Sequence, residues 1–153
     1  MRTEKIAQLK QFYHDTLLED IVPFWVNSDL IDQEYGGIYY FRDLYGRPCE
    51  QLEHDMKLWW VHNECLIAVL MALQLTGESY YEQWYERLHD YIFSHFPDKT
   101  YGEWYGYLHR DGTVSHTQKG SLWKGPYHLP RCMMLCEMIL DSMGKGEKLP
   151  ALL

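Results

Sequence analysis

Residues 34–64 read EYGGIYYFRDLYGRPCEQLEHDMKLWWVHNE, and the change of pattern inside this stretch decides the fold. Its first half is bracketed by glycines and rich in tyrosine, which predicts a strand and turn over residues 35–47. From Leu58 the period lengthens. Leu66, Leu70 and Leu73 fall on one face, predicting a helix over 58–75 that Thr76-Gly77 stops. An aromatic loop therefore delivers a helix. The same unit recurs downstream. Tyr35-Gly36 and Tyr101-Gly102 open two segments that align without a gap: Tyr39 with Tyr105, Phe41 with Tyr107, Gly46 with Gly112. Each precedes a Leu-Trp pair, Leu58-Trp59 and Leu122-Trp123, expected to open toward a helix. Repeats of this length point to a closed or stacked helical array.

Outward from this unit the chain reads as further helices. Residues 4–25 carry Ile6, Leu9, Tyr13 and Leu17 at helical spacing, with Pro23 near the end. Ser79 and Glu82 form a capping-box pattern for a helix through Phe96, with Trp84, Leu88 and Tyr91 on its apolar face and Pro97 as its stop. Residues 101–116 predict a second glycine-bracketed aromatic hairpin. Pro130 suits the first position of a last helix that ends near Gly144. The expected organisation is one domain, 1–153, comprising an N-terminal helix over 1–30, a helical segment over 34–144 and a tail over 145–153.

Composition narrows the function classes. Of 153 residues, 46% are hydrophobic and 24% charged, the balance of a globular chain. A net charge of −8 argues against nucleic-acid or anionic-membrane partners. No apolar run is long enough to span a bilayer, and MRTEKIAQLKQFYHD lacks an apolar signal core, so a cytoplasmic location is expected. The four cysteines lack zinc-ligand spacing and read as free thiols. Aromatic content is high, with 13 Tyr and 6 Trp. It fits a carbohydrate site, where rings stack on sugar C–H faces, and on composition alone it fits an aromatic core or partner interface at least as well.

Three stretches carry a family resemblance: residues 34–64, YGEWYGYLHRDGTV at 101–114, and KGSLWKGPYHLPR at 119–131. In this order and spacing they resemble the C-terminal part of the N-acylglucosamine 2-epimerase family, which also contains cellobiose and mannose epimerases. Residues 1–30, with LLEDIVPFW, resemble the family's N-terminal helix. The resemblance implies a mainly α fold, part of an (α/α)6 barrel with aromatic β-hairpin loops. Twelve helices need well over ~200 residues, and four are expected here. The chain thus resembles the family's first helix joined to its final third, with a seam between about Val26 and Arg47. The family's Pro-Gly-His-x-x-Glu segment, which supplies one of two catalytic histidines, has no counterpart string in this sequence.

The implied reaction interconverts N-acyl-D-glucosamine and N-acyl-D-mannosamine at carbon 2. A proton leaves a carbon beside the open-chain aldehyde and returns to the opposite face. Two bases with pKa near neutrality suffice, and histidine fits without tuning. That scheme calls for no cofactor and no metal. His128 matches the family's C-terminal catalytic histidine, and Trp123 a tryptophan that stacks on the sugar. Arg131 is a candidate for orienting substrate oxygens or stabilising enediolate charge; after proline it reads equally as a surface ion pair. Trp59 and Trp60 are candidate stacking residues of which one should face the site and one pack. Glu64, one turn beyond Trp60, and Glu103 with Trp104 are candidate sugar contacts. His62 lies in the same motif as a candidate contact or replacement base. Its spacing to Glu64 and His54 does not make a metal site. The competing reading is a catalytically incomplete fragment acting as a sugar-binding or interaction module. A partial barrel exposes apolar helix faces, so self-association is expected.

Overall fold

The computed structural model describes residues 2–43 and 45–147; residues 148–153 of the expected tail lie outside them. The chain is mainly helical, in the order α1 (Thr3–Asp15), a π-helical turn (Thr16–Ile21), α2 (Val22–Asn27), β1 (Lys57–Leu58), α3 (Trp59–Thr76), α4 (Ser79–His95), β2 (Tyr107–Leu108) and α5 (His128–Gly144). Helix α3 is central, packing against α4 on one side and α5 on the other. Its buried residues include Leu66, Ile67, Val69, Leu70 and Ala72, which wrap around the axis rather than forming one stripe. That pattern marks a helix covered by neighbours on several sides. Ile92 and Phe96 from α4, Cys132 and Ile139 from α5, and Ile38 and Leu108 from the loops complete the core. The described helices form an open array, one part of an (α/α)6-type arrangement.

The helices end where backbone chemistry requires it. Gly77 takes the left-handed conformation at φ 71° and donates its N–H to Leu73 O, closing α3 as expected. The N-terminal helix departs from a single α-helix. The π turn ends where Val22 N–H donates to Leu17 O, five residues back, just before Pro23 enters the first turn of α2. A proline in an α-helix lacks an N–H and crowds the carbonyl four residues earlier, and a wide turn relieves both defects. The capping box at Ser79 does not form. Ser79 is the first helical residue, Glu78 is the cap without a side-chain bond, and Thr76 Oγ1 accepts Glu78 N–H instead, at 3.2 Å. Helix α5 begins at His128, so Pro130 is the third helical residue and not the first. Its missing N–H is still one of those a first turn leaves free.

The internal repeat is physical. Ile31 bridges Ile38, and 66 residues later Pro97 bridges Trp104. Between them each segment builds the same clip. Asp32 N–H donates to Gly37 O and Gly36 N–H to Asp32 O; Asp98 N–H donates to Glu103 O and Gly102 N–H to Asp98 O. Asp32 Oδ1 accepts from Glu34 and Tyr35 N–H, as Asp98 Oδ1 does from Thr100 and Tyr101. Each aspartate then meets a lysine, Lys57 at 2.9 Å and Lys119. Arg110 ties the two together, donating from Nε to Asp32 Oδ2 at 3.0 Å and to Tyr39 OH at 2.7 Å. Burial alone would raise the Asp32 carboxyl, but hydrogen bonds from Lys57, Arg110 and Tyr39 outweigh it and hold the group well below the usual carboxylate range.

Two expectations for these loops need correcting. The described residues of 35–47 form no strand; Tyr39, Tyr40 and Phe41 N–H instead reach Leu30, Met56 and His54 carbonyls. The second segment makes only a short hairpin, with His109 N–H to Thr113 O at 2.8 Å and Ser115 N–H to Tyr107 O at 3.0 Å. Its strand β2 pairs antiparallel with β1, Lys57 opposite Leu108 and Leu58 opposite Tyr107. The Leu-Trp pairs are not equivalent either. Leu58 and Trp59 are buried at the start of α3, whereas Leu122 and Trp123 are exposed in the irregular segment before α5.

Candidate functional site

The loops and helix starts converge on one cleft of about 450 Å³ lined by residues that include Tyr40, Trp59, Trp60, Tyr107, Trp123 and His128. Strand β1 ends at Leu58, so the first turn of α3 carries Trp59 and Trp60 straight into it. Helix α5 starts at His128, which places that imidazole at a helix N-terminus facing the same turn of α3. Trp60 lies 5.6 Å from the His128 ring, centroid to centroid, and Trp59 6.3 Å edge-on. Trp59 is also buried against Tyr107. Both adjacent tryptophans thus reach the histidine, one half-buried and one fully.

The charged groups at the cleft form a chain. His128 Nδ1 stands 2.8 Å from Glu64 Oε1. A carboxylate only accepts, so this contact puts the ring proton on Nδ1 and leaves Nε2 as the basic nitrogen. Arg131, one turn along α5, donates from Nη1 to both Glu64 oxygens, at 2.9 and 2.8 Å. Glu64 therefore orients His128 and is itself held by Arg131. Histidine, glutamate and arginine are each about a third exposed on the side chain, open enough for a ligand to reach. The arrangement is that of a positioned base whose second nitrogen is anchored.

Three other candidates lie elsewhere. His62 is fully buried. Its Nε2 accepts Ile38 N–H at 3.0 Å and its Nδ1 contacts Leu58 O at 2.7 Å. Burial, with Lys57 and His95 nearby, lowers its pKa to about 3, although the Leu58 carbonyl acts in the other direction. Both nitrogens are engaged, Nε2 with the first clip and Nδ1 with the start of its own helix, and the ring does not line the cleft. Trp104 is buried between Phe93 and Phe96. Glu103 meets Lys124, with Nζ 2.7 and 2.6 Å from its two oxygens. Among the described residues Glu103 is the one non-glycine at positive φ, 59°, where Gly37 stands in the first clip at 72°.

Sequence reasoning missed several cleft residues. Tyr40 and Tyr107 lie in the recognised aromatic repeats, but which tyrosine faces inward depends on a register the repeat does not reveal. Gln51 and Glu53, also on the lining, come from an irregular segment with no periodic signal. Lys124 lies in the motif at 119–131, which does not single it out; it is nearly fully buried beside the cleft, behind Trp59. A second cavity of about 600 Å³, mostly apolar, separates α2 from α3 and is lined in part by Phe24, Trp25, Val61 and Ala68. Among the described residues no three His, Cys, Asp or Glu gather to hold a metal ion, and no helix is long and apolar enough to cross a membrane.

Comparison with known proteins places this geometry. The sequence model of the N-acylglucosamine 2-epimerase (GlcNAc 2-epimerase) family matches residues 26–132. The chain is 46% identical over 112 residues to the N-acylglucosamine 2-epimerase of Bos taurus, which covers 73% of this chain and 26% of that protein. It spans about a quarter of the length of the curated relatives it matches. Among solved structures, D-mannose isomerase superimposes with a TM-score of 0.62 at 26% identity, over 74% of this chain and 27% of that one. The fold is also that of a cellobiose 2-epimerase from Bacillus thermoamylovorans, TM-score 0.60 at 15% identity, over 90% of this chain and 37% of that one. The match to the family's sequence model covers more than half of the chain and includes both halves of the His128 cleft; this protein belongs to the N-acylglucosamine 2-epimerase family.

Proposed function

We propose that the His128 cleft binds an open-chain N-acylhexosamine and moves the proton at its carbon 2, one half of the reaction that interconverts N-acyl-D-glucosamine and N-acyl-D-mannosamine. The observation that carries this reading is the His128–Glu64–Arg131 chain beside Trp60 and Trp123. His128 Nε2 takes the carbon-2 proton as the aldehyde oxygen gains charge. Glu64 stabilises the imidazolium through Nδ1–H, and Arg131 holds Glu64 in place with two hydrogen bonds. Trp60 and Trp123 stack on the C–H face of the sugar. His128 works from one side only, so the proton it returns goes to the face it left. The expected activity of this chain by itself is exchange without inversion. The reaction belongs to amino-sugar metabolism, in the cytoplasm.

The test is proton NMR of N-acetylmannosamine in heavy water. The carbon-2 signal should disappear with the wild-type chain and persist with His128→Ala. Exchange that His128→Ala leaves unchanged removes the assignment, and no exchange with the wild type leaves a sugar-binding or interaction module. Self-association is part of the proposal. Ile6, Phe12, Tyr13, Phe24 and Trp25 are exposed on the N-terminal helices, beside the apolar cavity against α3. Light scattering at rising concentration should report a mass above the monomer; a monomer throughout counts against it.

A further inference from the structure

Lys124 sits in the segment between β2 and α5, three residues after Ser121, and its side chain is only 2% exposed. Its stem lies against Gly106, where a Cβ would come within 2.8 Å of Lys124 Cδ and 3.4 Å of Trp59 Cε3. Its ammonium stands 5.7 Å from the centroid of the Trp59 ring. It donates to both oxygens of Glu103 and to Lys119 O at 3.1 Å. The lysine thus fills the gap left by a glycine and ends beneath the buried tryptophan of the cleft.

The same residue sets the exposed tryptophan. Ser121 Oγ accepts Trp123 N–H at 3.2 Å and Lys124 N–H at 3.0 Å. Ser121 N–H donates to Lys124 O at 3.1 Å. Trp123 is therefore the tip of a tight turn, and the following residue is the plug that anchors it. Without that plug the turn is flanked by Gly120 and Gly125, where an added Cβ would meet nothing within 4 Å. Glu103 holds the other end. Its backbone keeps a left-handed conformation that side chains disfavour, at the position where the first clip has Gly37. The first clip has no counterpart of Lys124 at this turn. The unfavourable residue occurs only where its carboxylate has a buried cation to meet.

We propose that Glu103 and Lys124 are a positioning pair of the sugar site, fixing Trp59 and Trp123 relative to His128, and that Glu103 acts through Lys124 rather than by touching the sugar. This rests on the reading of the cleft as a sugar site, so the test separates the two. N-acetylmannosamine is titrated into the full chain and followed through assigned indole N–H resonances, for wild type, Glu103→Gln, Lys124→Met and the double variant. The expected result is that each single change moves the Trp59 and Trp123 indole signals and weakens sugar binding by about fivefold or more, with the double variant no weaker than the poorer single one. Unaltered affinity in both single variants, or losses that multiply in the double variant, overturns the pairing. If the wild type binds no sugar, the functional reading fails by itself. The indole signals then decide the pair: moved by both changes it stands, unmoved it falls. Glu103 is half-exposed, so Glu103→Gln carries the test alone should Lys124→Met not fold.

Discussion

Lowering the pH should unfold this protein through one histidine far from the proposed chemistry. His62 is buried and held with its pKa lowered from 6.5 to about 3. The folded state therefore keeps His62 neutral while the unfolded chain protonates it. Stability from this residue is complete above pH 6.5 and is lost as pH falls from there toward 3. Between pH 7 and pH 5 the loss amounts to about 2 kcal/mol, a large fraction of a domain's total. The Asp32 and Asp98 carboxylates are held low in the fold, so their losses come at more acid pH. The measurement is urea unfolding at pH 7, 6 and 5 for the wild type and His62→Gln, which keeps an acceptor for Ile38 N–H and cannot titrate. The wild type should lose about 2 kcal/mol more than the variant over this range. Equal pH slopes would refute the argument and return His62 to the list of candidate bases, because a solvated base titrates near its ordinary value and brings no such penalty.

Three further outcomes test other parts of the structure. Glu64→Gln replaces the charged anchor of His128 Nδ1 with a neutral amide and leaves Arg131 without its carboxylate, and should slow carbon-2 exchange by on the order of 10²-fold or more in the same NMR assay. Gly37→Ala sets a Cβ 2.5 Å from Tyr91 Cε1 at φ +72° and should destabilise by about 3 kcal/mol or more; Gly46→Ala, at a similar φ in open space, should lose only about 1 kcal/mol, and thermal melts rank the two. Asp32→Asn strands the fully buried Lys57 without its ion pair and should destabilise by about 3–5 kcal/mol in urea.

The fold was legible where one residue imposes a backbone conformation. Gly77 ends α3 as its position requires, and the aligned glycines and tyrosines of the two segments announce a repeat whose clip hydrogen bonds recur 66 residues apart. It was illegible where a local pattern lost to tertiary contacts. The Tyr-rich run 38–41 has strand propensity, but its N–H groups reach three different carbonyls rather than one partner strand. The capping box at Ser79 fails because the helix starts one residue early, with Glu78 as cap and Ser79 already helical. Trp59, Trp60, Trp123 and His128 share the lining of the cleft, with Glu64 and Arg131 bonded in a chain behind His128. His62 and Trp104 do not, because adjacency in a motif says nothing about which side of a helix or loop faces the core. Lys124 lies in the motif at 119–131, but its burial could not be read from it. Its burial depends on the space above Gly106, a distance in three dimensions that no spacing along the chain encodes.

The two clips also say how such a piece of chain can hold together. Asp32 closes on Lys57 and Asp98 on Lys119, each fastened from within a short stretch of its own sequence. In the terms used for linear arrays, these are intrinsic contributions of the individual units. Arg110 is of another kind. It leaves the second unit and inserts its guanidinium beside Asp32 and Glu34 of the first, which makes it a nearest-neighbour coupling. An array with both contributions gains cooperativity one step at a time. Removing Arg110 would weaken that coupling, which the β1–β2 pairing and the packing of α3 on α4 and α5 also carry.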